Sequence, residues 1–263
     1  MLKGKNMLPN EFVFSQNNLQ KYIDCKRLFY LEEIEHLEWP AIESEPVKIQ
    51  EERMTAGSRF HQICSQYLLG IPEELLGKTI DSDEVSRWWN SFLQLELKPS
   101  PDVFPEKAIT VPYGDFRLTA HLDVLIKQSD DMYLIYDWKT NQHLPGRDTM
   151  QNRLQTLVYP VVLHKFLEFS HRKNPPTITM IYWYPEFPDK PHKFQFHHED
   201  IKCNQQDLEK LIAEISSSNS DDFVMTDNEK RCQICPYRSF CNRGVKAGEM
   251  SEMDLLERPT ILV

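Results

Sequence analysis

Glycine is scarce in this 263-residue chain, which contains 8 glycines against 17 prolines. Low-complexity tracts are missing too, so the composition favours a folded chain whose loops are stiffened by proline. Basic residues are not in excess, because 40 Asp and Glu oppose 30 Lys and Arg, for a formal net charge of -10. This balance argues against a protein that coats nucleic acid through bulk charge, although it leaves room for a local basic groove.

Long apolar runs are also absent. The N-terminal residues carry positive charge but no apolar stretch of signal-peptide length, and no segment approaches the length of a transmembrane helix. These absences predict a soluble cytoplasmic protein without a membrane partner. In that reducing compartment the six cysteines are expected to be thiols, so a pattern among them indicates metal binding or catalysis before disulfides.

The spacing of apolar residues changes from helical to alternating along the chain. The predicted helices cover residues 15–37 with Ser15 as N-cap, 47–69, 81–97, 148–169 with Pro160 inside it, and 204–215. The predicted strands cover residues 116–126, 132–139, 177–184 and 193–197, the first two forming a hairpin. This order of elements predicts an α/β fold with a small mixed sheet flanked by helices.

Carboxylates and a lysine meet on the predicted hairpin. Alternation puts Asp137 and Lys139 on one face of a strand, with Trp138 on the other, and Asp123 comes from the polar side of the preceding strand. Two carboxylates can hold a hard divalent cation, and a lysine beside them can orient or deprotonate a water. An isolated Asp-x-Lys is more often a surface ion pair, but the second carboxylate makes a two-acid metal site feasible.

Predicted helices supply further polar candidates. Gln151, Gln155 and Tyr159 follow one another at four-residue spacing, which predicts one helix face able to position a phosphate or an attacking water. The alternative is a solvated polar stripe. Upstream, His61 lies on a predicted helix four residues after Gly57. A lone helical histidine more often has a structural role than binds a metal, so His61 is a candidate ligand only in combination with the other motifs.

The order of these motifs is more specific than any one of them. Gly-x-x-x-His on a helix, Asp on a strand, Asp-x-Lys on the next strand and Gln-x-x-x-Tyr on a helix resemble the RecB-like branch of the PD-(D/E)xK nucleases. The matching residues are Gly57, His61, Asp123, Asp137, Lys139, Gln155 and Tyr159. The resemblance implies a restriction-endonuclease-like core with a small mixed sheet.

The resemblance also implies a role for each residue. The implied catalytic set is Asp123, Asp137, Lys139, Gln155 and Tyr159, with Lys139 serving the nucleophilic water and the last two contacting substrate. The implied ligands of Mg²⁺ or Mn²⁺ are His61, Asp123, Asp137 and the backbone carbonyl of Trp138. Glu106 is a candidate for an additional family acid, and the family pattern accepts either Asp or Glu at position 137.

Three cysteines cluster near the end of the chain, where Cys232, Cys235 and Cys241 form a C-x2-C-x5-C pattern. This is a strong metal-binding signal, and Cys25 is the candidate fourth ligand. One N-terminal and three C-terminal cysteines in this spacing resemble the iron-sulfur subset of RecB-like nucleases, including AddB and CRISPR-adaptation exonucleases, and imply a [4Fe-4S] cluster. Ligand chemistry alone fits structural zinc equally well.

The other cysteines and the surrounding charges have separate interpretations. Cys64 and Cys203 fall outside the pattern and are predicted to be buried free thiols. Basic and aromatic residues surround the C-terminal cysteines: Lys230, Arg231, Tyr237, Arg238, Phe240, Arg243 and Lys246. They suit single-stranded nucleic acid, or they balance the negative charge of a thiolate-bound centre. The acidic segment 249–263 is expected to pack on the body or to meet a partner.

The resemblance implies a single nuclease domain over residues 1–263, with a core at about 47–200 and cluster-binding segments at about 15–37 and 226–246. The predicted function is metal-dependent hydrolysis of single-stranded or end-containing DNA, by an exonuclease in preference to an endonuclease, in repair, recombination or CRISPR adaptation. Proteins of such complexes are the expected partners. The alternative is a catalytically inactive nuclease-like DNA-binding or scaffold subunit. Alanine at Asp137 or Lys139 is expected to abolish cleavage and to leave the fold intact.

Overall fold

A computed structural model of the protein describes residues 7–9, 11–38, 45–168, 175–233 and 235–244, with only the backbone for residues 45–52. The chain groups into two compact units. The first comprises residues 1–49, 111–119 and 205–263, and the second comprises residues 50–110 and 120–204. The single nuclease domain therefore stays a prediction, and each unit is best understood by itself.

The described residues form six strands and nine α-helices. The strands are β1 (Val13–Ser15), β2 (Val103–Tyr113), β3 (Phe116–Ser129), β4 (Met132–Trp138), β5 (Thr177–Trp183) and β6 (His192–Phe196). The α-helices are α1 (Gln16–Asp24), α2 (Lys26–Phe29), α3 (Glu45–Leu68), α4 (Glu73–Gly77), α5 (Asp83–Leu93), α6 (Arg147–Gln151), α7 (Leu154–Glu168), α8 (His198–Ser217) and α9 (Glu229–Cys232). Among these described residues, no helix combines the length and the apolarity that crossing a bilayer requires.

In the first unit, Ser15 begins helix α1 as predicted. Its hydroxyl accepts the N–H of Asn18 at 3.3 Å, and the Asn18 side chain accepts the N–H of Ser15 at 2.8 Å. These reciprocal bonds form a capping box, which satisfies two N–H groups that the helix itself leaves unpaired. The N-cap prediction is confirmed.

The predicted helix over residues 15–37 is interrupted at Cys25. Helix α1 ends at Asp24, Cys25 is extended with φ -163° and ψ 110°, and α2 and a π-helical turn at Tyr30–Ile34 follow. Leu19 and Tyr22 before the break and Phe29 and Leu31 after it are all buried, so the apolar spacing carries no sign of the break. The consequence is that Cys25 stands alone between two helices.

The second unit is built on a mixed sheet. Strands β3 and β4 form the predicted antiparallel hairpin, β4 and β5 are parallel, β5 and β6 are antiparallel, and β2 pairs with β3. Helices cover both faces of this sheet. Trp138 packs among aromatic residues of α3 and α5, whereas its neighbour Asp137 contacts α7, because side chains alternate along a strand. The predicted mixed sheet flanked by helices is confirmed.

The predicted helix over residues 148–169 is two helices. Helix α6 ends at Gln151 and α7 begins at Leu154. Gln151 is consequently exposed at the end of α6, whereas Gln155 and Tyr159 are buried on α7. The prediction that all three share one helix face is wrong for Gln151, because the break at residues 152 and 153 resets the helical phase.

Candidate active site

Asp137, Lys139 and Gln155 form a closed polar network at the end of β4. Asp137 is 3% exposed and Lys139 is 5% exposed, and the lysine Nζ lies 2.7 Å from the Asp137 Oδ2. The same Nζ donates to the Gln155 Oε1 at 3.1 Å, and the Gln155 amide nitrogen donates to the Asp137 Oδ1. Each group thus holds the other two, which fixes the lysine ammonium in a buried position.

A second set of groups surrounds Asp123. Its Oδ2 accepts the backbone N–H of Trp138 at 2.6 Å, and its Oδ1 lies 3.2 Å from the His61 Nδ1. Glu106 on β2 completes a group of donor atoms, one each from His61, Glu106 and Asp123, that all lie within 4.8 Å of one another. Two carboxylates with an imidazole form a donor set that suits Mg²⁺ or Mn²⁺.

The charges of these groups favour a bound cation. Burial and the charge of Asp123 raise the pKa of Glu106 to about 7, and burial also raises the pKa of Asp137. Burial acts in the same direction on Asp123, but His61 and Lys139 outweigh it and lower the pKa of that carboxyl. Ionised carboxylates this close repel one another, and a divalent cation among them relieves the repulsion.

Two tyrosines border the network from different elements. Burial and the charges of Asp137 and Asp123 raise the pKa of Tyr159 well above its ordinary value, so its phenol stays neutral and able to donate. Tyr182 lies opposite Asp137 in the β4–β5 register, with its ring centre 5.6 Å from the Lys139 Nζ. The sequence interpretation missed Tyr182, because it stands in an apolar run. Its hydroxyl was the available signal.

A group of cysteines lies in the first unit. Cys25, Cys232, Cys235 and Cys241 line one cavity. Two contacts join the chain ends around them: the Tyr237 hydroxyl donates to the Leu37 carbonyl at 2.6 Å, and Arg27 N–H donates to the Val224 carbonyl at 3.1 Å. The structure therefore brings the four predicted ligands together, although their spacing spans almost the whole chain.

The other cysteines and the basic residues give mixed outcomes. Cys64 is buried as predicted, but Cys203 is exposed, so that prediction is wrong, because position 203 lies on the solvent side of α8. Arg231 is paired with Asp24 and Arg243 with Glu229, while Arg238 is buried. Two of these arginines thus have carboxylate partners within the chain, and both interpretations of the basic residues stay predictions. Lys246 and residues 249–263 lie outside the described residues.

Comparison with known proteins identifies the family. The sequence-family model of the PD-(D/E)XK nuclease superfamily matches residues 13–242. The chain belongs to the PD-(D/E)XK nuclease superfamily. Members of this superfamily generally use divalent metals, in agreement with the carboxylate-rich group around Asp123.

Solved structures give further, more distant likenesses to this PD-(D/E)XK chain. A crystal structure from Eubacterium rectale, described as "Putative exonuclease", is 12% identical over 93% of this chain and 92% of that chain, with a TM-score of 0.54. At that identity the likeness shows the fold alone. The crystal structure of SSO0001 is 14% identical over 89% of this chain and 87% of that chain, with a TM-score of 0.38. A search of curated proteins finds no match.

Within the PD-(D/E)XK superfamily, the finer predictions about this chain stay predictions. These are membership of the RecB-like iron-sulfur subset, a metal bound by the cysteines, and the roles of the individual site residues. The structure adds Glu106 to the group around His61 and Asp123, and it places Asp137 with Lys139 and Gln155 instead. The carbonyl of Trp138 also stays a predicted ligand.

Close packing explains the glycine at position 57 in this PD-(D/E)XK site. A Cβ built at Gly57 on α3 would lie 2.9 Å from the Thr140 Oγ1, just beyond Lys139. A side chain at position 57 therefore has to displace the Thr140 hydroxyl, either by rotating that side chain or by shifting α3 away from residue 140. Because His61 follows one turn later on α3, the spacing of glycine and histidine couples this close approach to the position of the imidazole.

We expect Gly57→Ala to destabilise the protein by about 1 to 3 kcal/mol through overpacking, and to weaken Mn²⁺ binding by displacing His61. Adding Thr140→Ala should restore most of the loss, because it removes the contacting Oγ1. Urea unfolding and Mn²⁺ titration measure both effects. Gly77→Ala is the matched control, since a Cβ there meets no atom within 4 Å. A double variant as unstable as Gly57→Ala alone would contradict this explanation.

Proposed function

We propose that the protein is a divalent-metal-dependent DNA nuclease of the RecB-like branch. The observation that carries the proposal is the buried network of Asp137, Lys139 and Gln155 beside the donor group of His61, Glu106 and Asp123. Burying an ion pair costs several kcal/mol in desolvation, so such a pair is weak evidence for a purely stabilising role. A surface ion pair, the alternative interpretation of Asp-x-Lys, does not fit this burial.

His61, Glu106 and Asp123 would hold Mg²⁺ or Mn²⁺, with Asp137 and the Trp138 carbonyl as further ligands implied by the resemblance. The donor set fits such an ion, because hard carboxylate oxygens dominate it. When bound, the ion would stabilise negative charge on the phosphate and make a water more acidic.

The chain's own residues position the reaction. Lys139 presents an ammonium that Asp137 and Gln155 hold in place, where it can orient the attacking water and offset charge that develops on the phosphate. The Gln155 amide accepts from the lysine and donates to the carboxylate, so flipping it would break both bonds. Tyr159 offers a neutral hydroxyl toward substrate from the next turn of α7.

A cleavage assay tests this function. Purified protein is mixed with labelled linear and circular DNA, single- and double-stranded, with Mg²⁺, Mn²⁺ or a chelator. We expect cleavage that needs the metal and that favours DNA with ends, since exonuclease action is the proposed mode. DNA binding without cleavage under either metal would instead support the second candidate, an inactive nuclease-like subunit, which the net charge of -10 and the superfamily fold leave open.

Glu106 offers a direct test of the metal ligands. We expect Glu106→Gln to lower Mn²⁺ affinity by at least about tenfold, and cleavage with it, because a charged oxygen ligand is lost. Calorimetric Mn²⁺ titration measures the affinity. Glu168→Gln is the matched control, since Glu168 also lies beside a histidine, 3.4 Å from His164, away from the donor group. Unchanged Mn²⁺ affinity would show that Glu106 is not a ligand, and Asp137 would then be the carboxylate that binds the metal together with Asp123.

We further propose that Cys25, Cys232, Cys235 and Cys241 hold a [4Fe-4S] cluster, with structural zinc as the alternative. Their common cavity and the contacts that join the chain ends support a shared metal centre. Visible absorption of anaerobically purified protein separates the two: a brown protein contains the cluster, and a colourless one with bound zinc does not. Repair, recombination or CRISPR adaptation, with its protein partners, is proposed from the resemblance alone.

A further inference from the structure

Arg238 is a buried cation in the wall of the cysteine cavity. Its side chain is 6% exposed and lines the cavity together with Cys25, Cys232, Cys235 and Cys241. One guanidinium nitrogen, Nη1, donates to the Gln233 carbonyl at 3.3 Å. Nε and Nη2 are buried without a hydrogen-bond acceptor among the described residues.

Two neighbouring arginines have carboxylate partners, in contrast to Arg238. Arg231 contacts the carboxylate of Asp24, and Arg243 contacts that of Glu229. Removing a charge from water without a partner costs several kcal/mol, so buried charges in proteins are paired or bound to metals. Among the described residues, Arg238 is therefore a cavity-lining cation whose buried Nε and Nη2 have no acceptor.

The geometry of the guanidinium indicates the kind of acceptor that would suit these two nitrogens. Nε and Nη2 lie on the same edge of the planar group, so their N–H bonds form a parallel fork that suits two adjacent acceptors. Thiols are poor hydrogen-bond acceptors, so the cysteines without a metal do not meet this need. Four thiolates around a dication would instead carry net negative charge, whether the centre is zinc or an iron-sulfur cluster.

We propose that Arg238 donates its Nε–H and Nη2–H to sulfur atoms of the metal centre, and so acts as a positioning residue that retains the centre. This rests on the proposed tetrathiolate centre. A DNA phosphate is the competing acceptor for an arginine in a nuclease, but burial keeps this guanidinium edge away from a surface-bound strand.

The test compares metal retention in three purified variants. Arg238→Gln removes the charge and the fork, Arg238→Lys keeps the charge without the fork, and Lys230→Gln changes the charge at an exposed position of the same segment. We expect Arg238→Gln to lose metal to a chelator at least about tenfold faster than the unaltered protein, Arg238→Lys to be intermediate, and Lys230→Gln to be unchanged. If the centre is a cluster, Arg238→Gln should also lower its reduction potential, because the reduced form loses a neighbouring positive charge.

The possible outcomes distinguish a failure of the role proposed for Arg238 from a failure of the tetrathiolate centre on which that role rests. Unaltered protein that holds no metal would reject the tetrathiolate centre and Arg238's role together. Unaltered protein with a full metal complement, and wild-type retention in Arg238→Gln, would reject the role of Arg238 alone. Normal retention with weakened binding to single-stranded DNA would assign the guanidinium to phosphate. Circular dichroism checks folding, and Arg238→Lys decides the matter if Arg238→Gln does not fold.

Discussion

Replacing Lys139 by methionine should lower metal-dependent DNA cleavage by a factor of about 100 to 10,000, the range expected when a group that assists proton transfer is removed. The ammonium is held by Asp137 and Gln155, so no other cation of this network takes its place. Methionine keeps the length and volume of the side chain and removes only its charge. The measurement is the initial rate of cleavage with saturating Mg²⁺ or Mn²⁺.

The same substitution also changes stability, and here the structure revises an expectation. Alanine at Asp137 or Lys139 was predicted to leave the fold intact, but both side chains are buried and paired with each other. Removing one partner of a buried pair costs about 3 to 5 kcal/mol, because the other charge is left without compensation. Asp137→Asn combined with Lys139→Met removes both charges, so it should regain stability while remaining inactive.

Lys127→Met provides the matched control. Lys127 pairs with Asp130 at 2.8 Å on the same hairpin, but these side chains are 34% and 83% exposed. An exposed pair contributes at most about 1 kcal/mol, so this variant should keep both its stability and its activity. Cleavage at the wild-type rate by Lys139→Met would remove the lysine from the proposed mechanism.

Cys25→Ser should release the metal of the cysteine cavity and strongly destabilise the first unit. Metal bound at four thiolates contributes directly to folding, by about 10 to 16 kcal/mol for structural zinc in small peptides, so losing one ligand has a large effect. Cys25 is the proposed ligand from the N-terminal helices, and it shares a cavity with the C-terminal cysteines. Metal analysis and thermal unfolding measure the two consequences.

The remaining cysteines serve as controls for this prediction. Cys203→Ser changes an exposed thiol in the second unit and should alter neither metal content nor stability. Cys64→Ser changes a thiol in the core beside Phe60 and Ile63, so it should cost stability without loss of metal. Full metal content in Cys25→Ser would show that the fourth ligand is another residue.

Features that depend on a few neighbouring residues were readable before the structure. The Ser15 cap, the β3–β4 hairpin and the alternation of Asp137, Trp138 and Lys139 all follow from local backbone geometry. The breaks within the predicted helices could not be predicted from the sequence. The interruption at Cys25 preserves the apolar spacing on both sides, because both segments bury residues in the same core.

The amino-acid sequence by itself determined the class of fold, the order of the nuclease motifs and the cluster of three C-terminal cysteines. Tertiary structure alone decided which distant groups meet. Glu106 joins His61 and Asp123, Tyr182 lies opposite Asp137, and the buried Arg238 lines the cysteine cavity. The physical reason is that periodicity and capping act over a few residues, whereas these encounters depend on strand pairing and on packing between segments far apart in the chain.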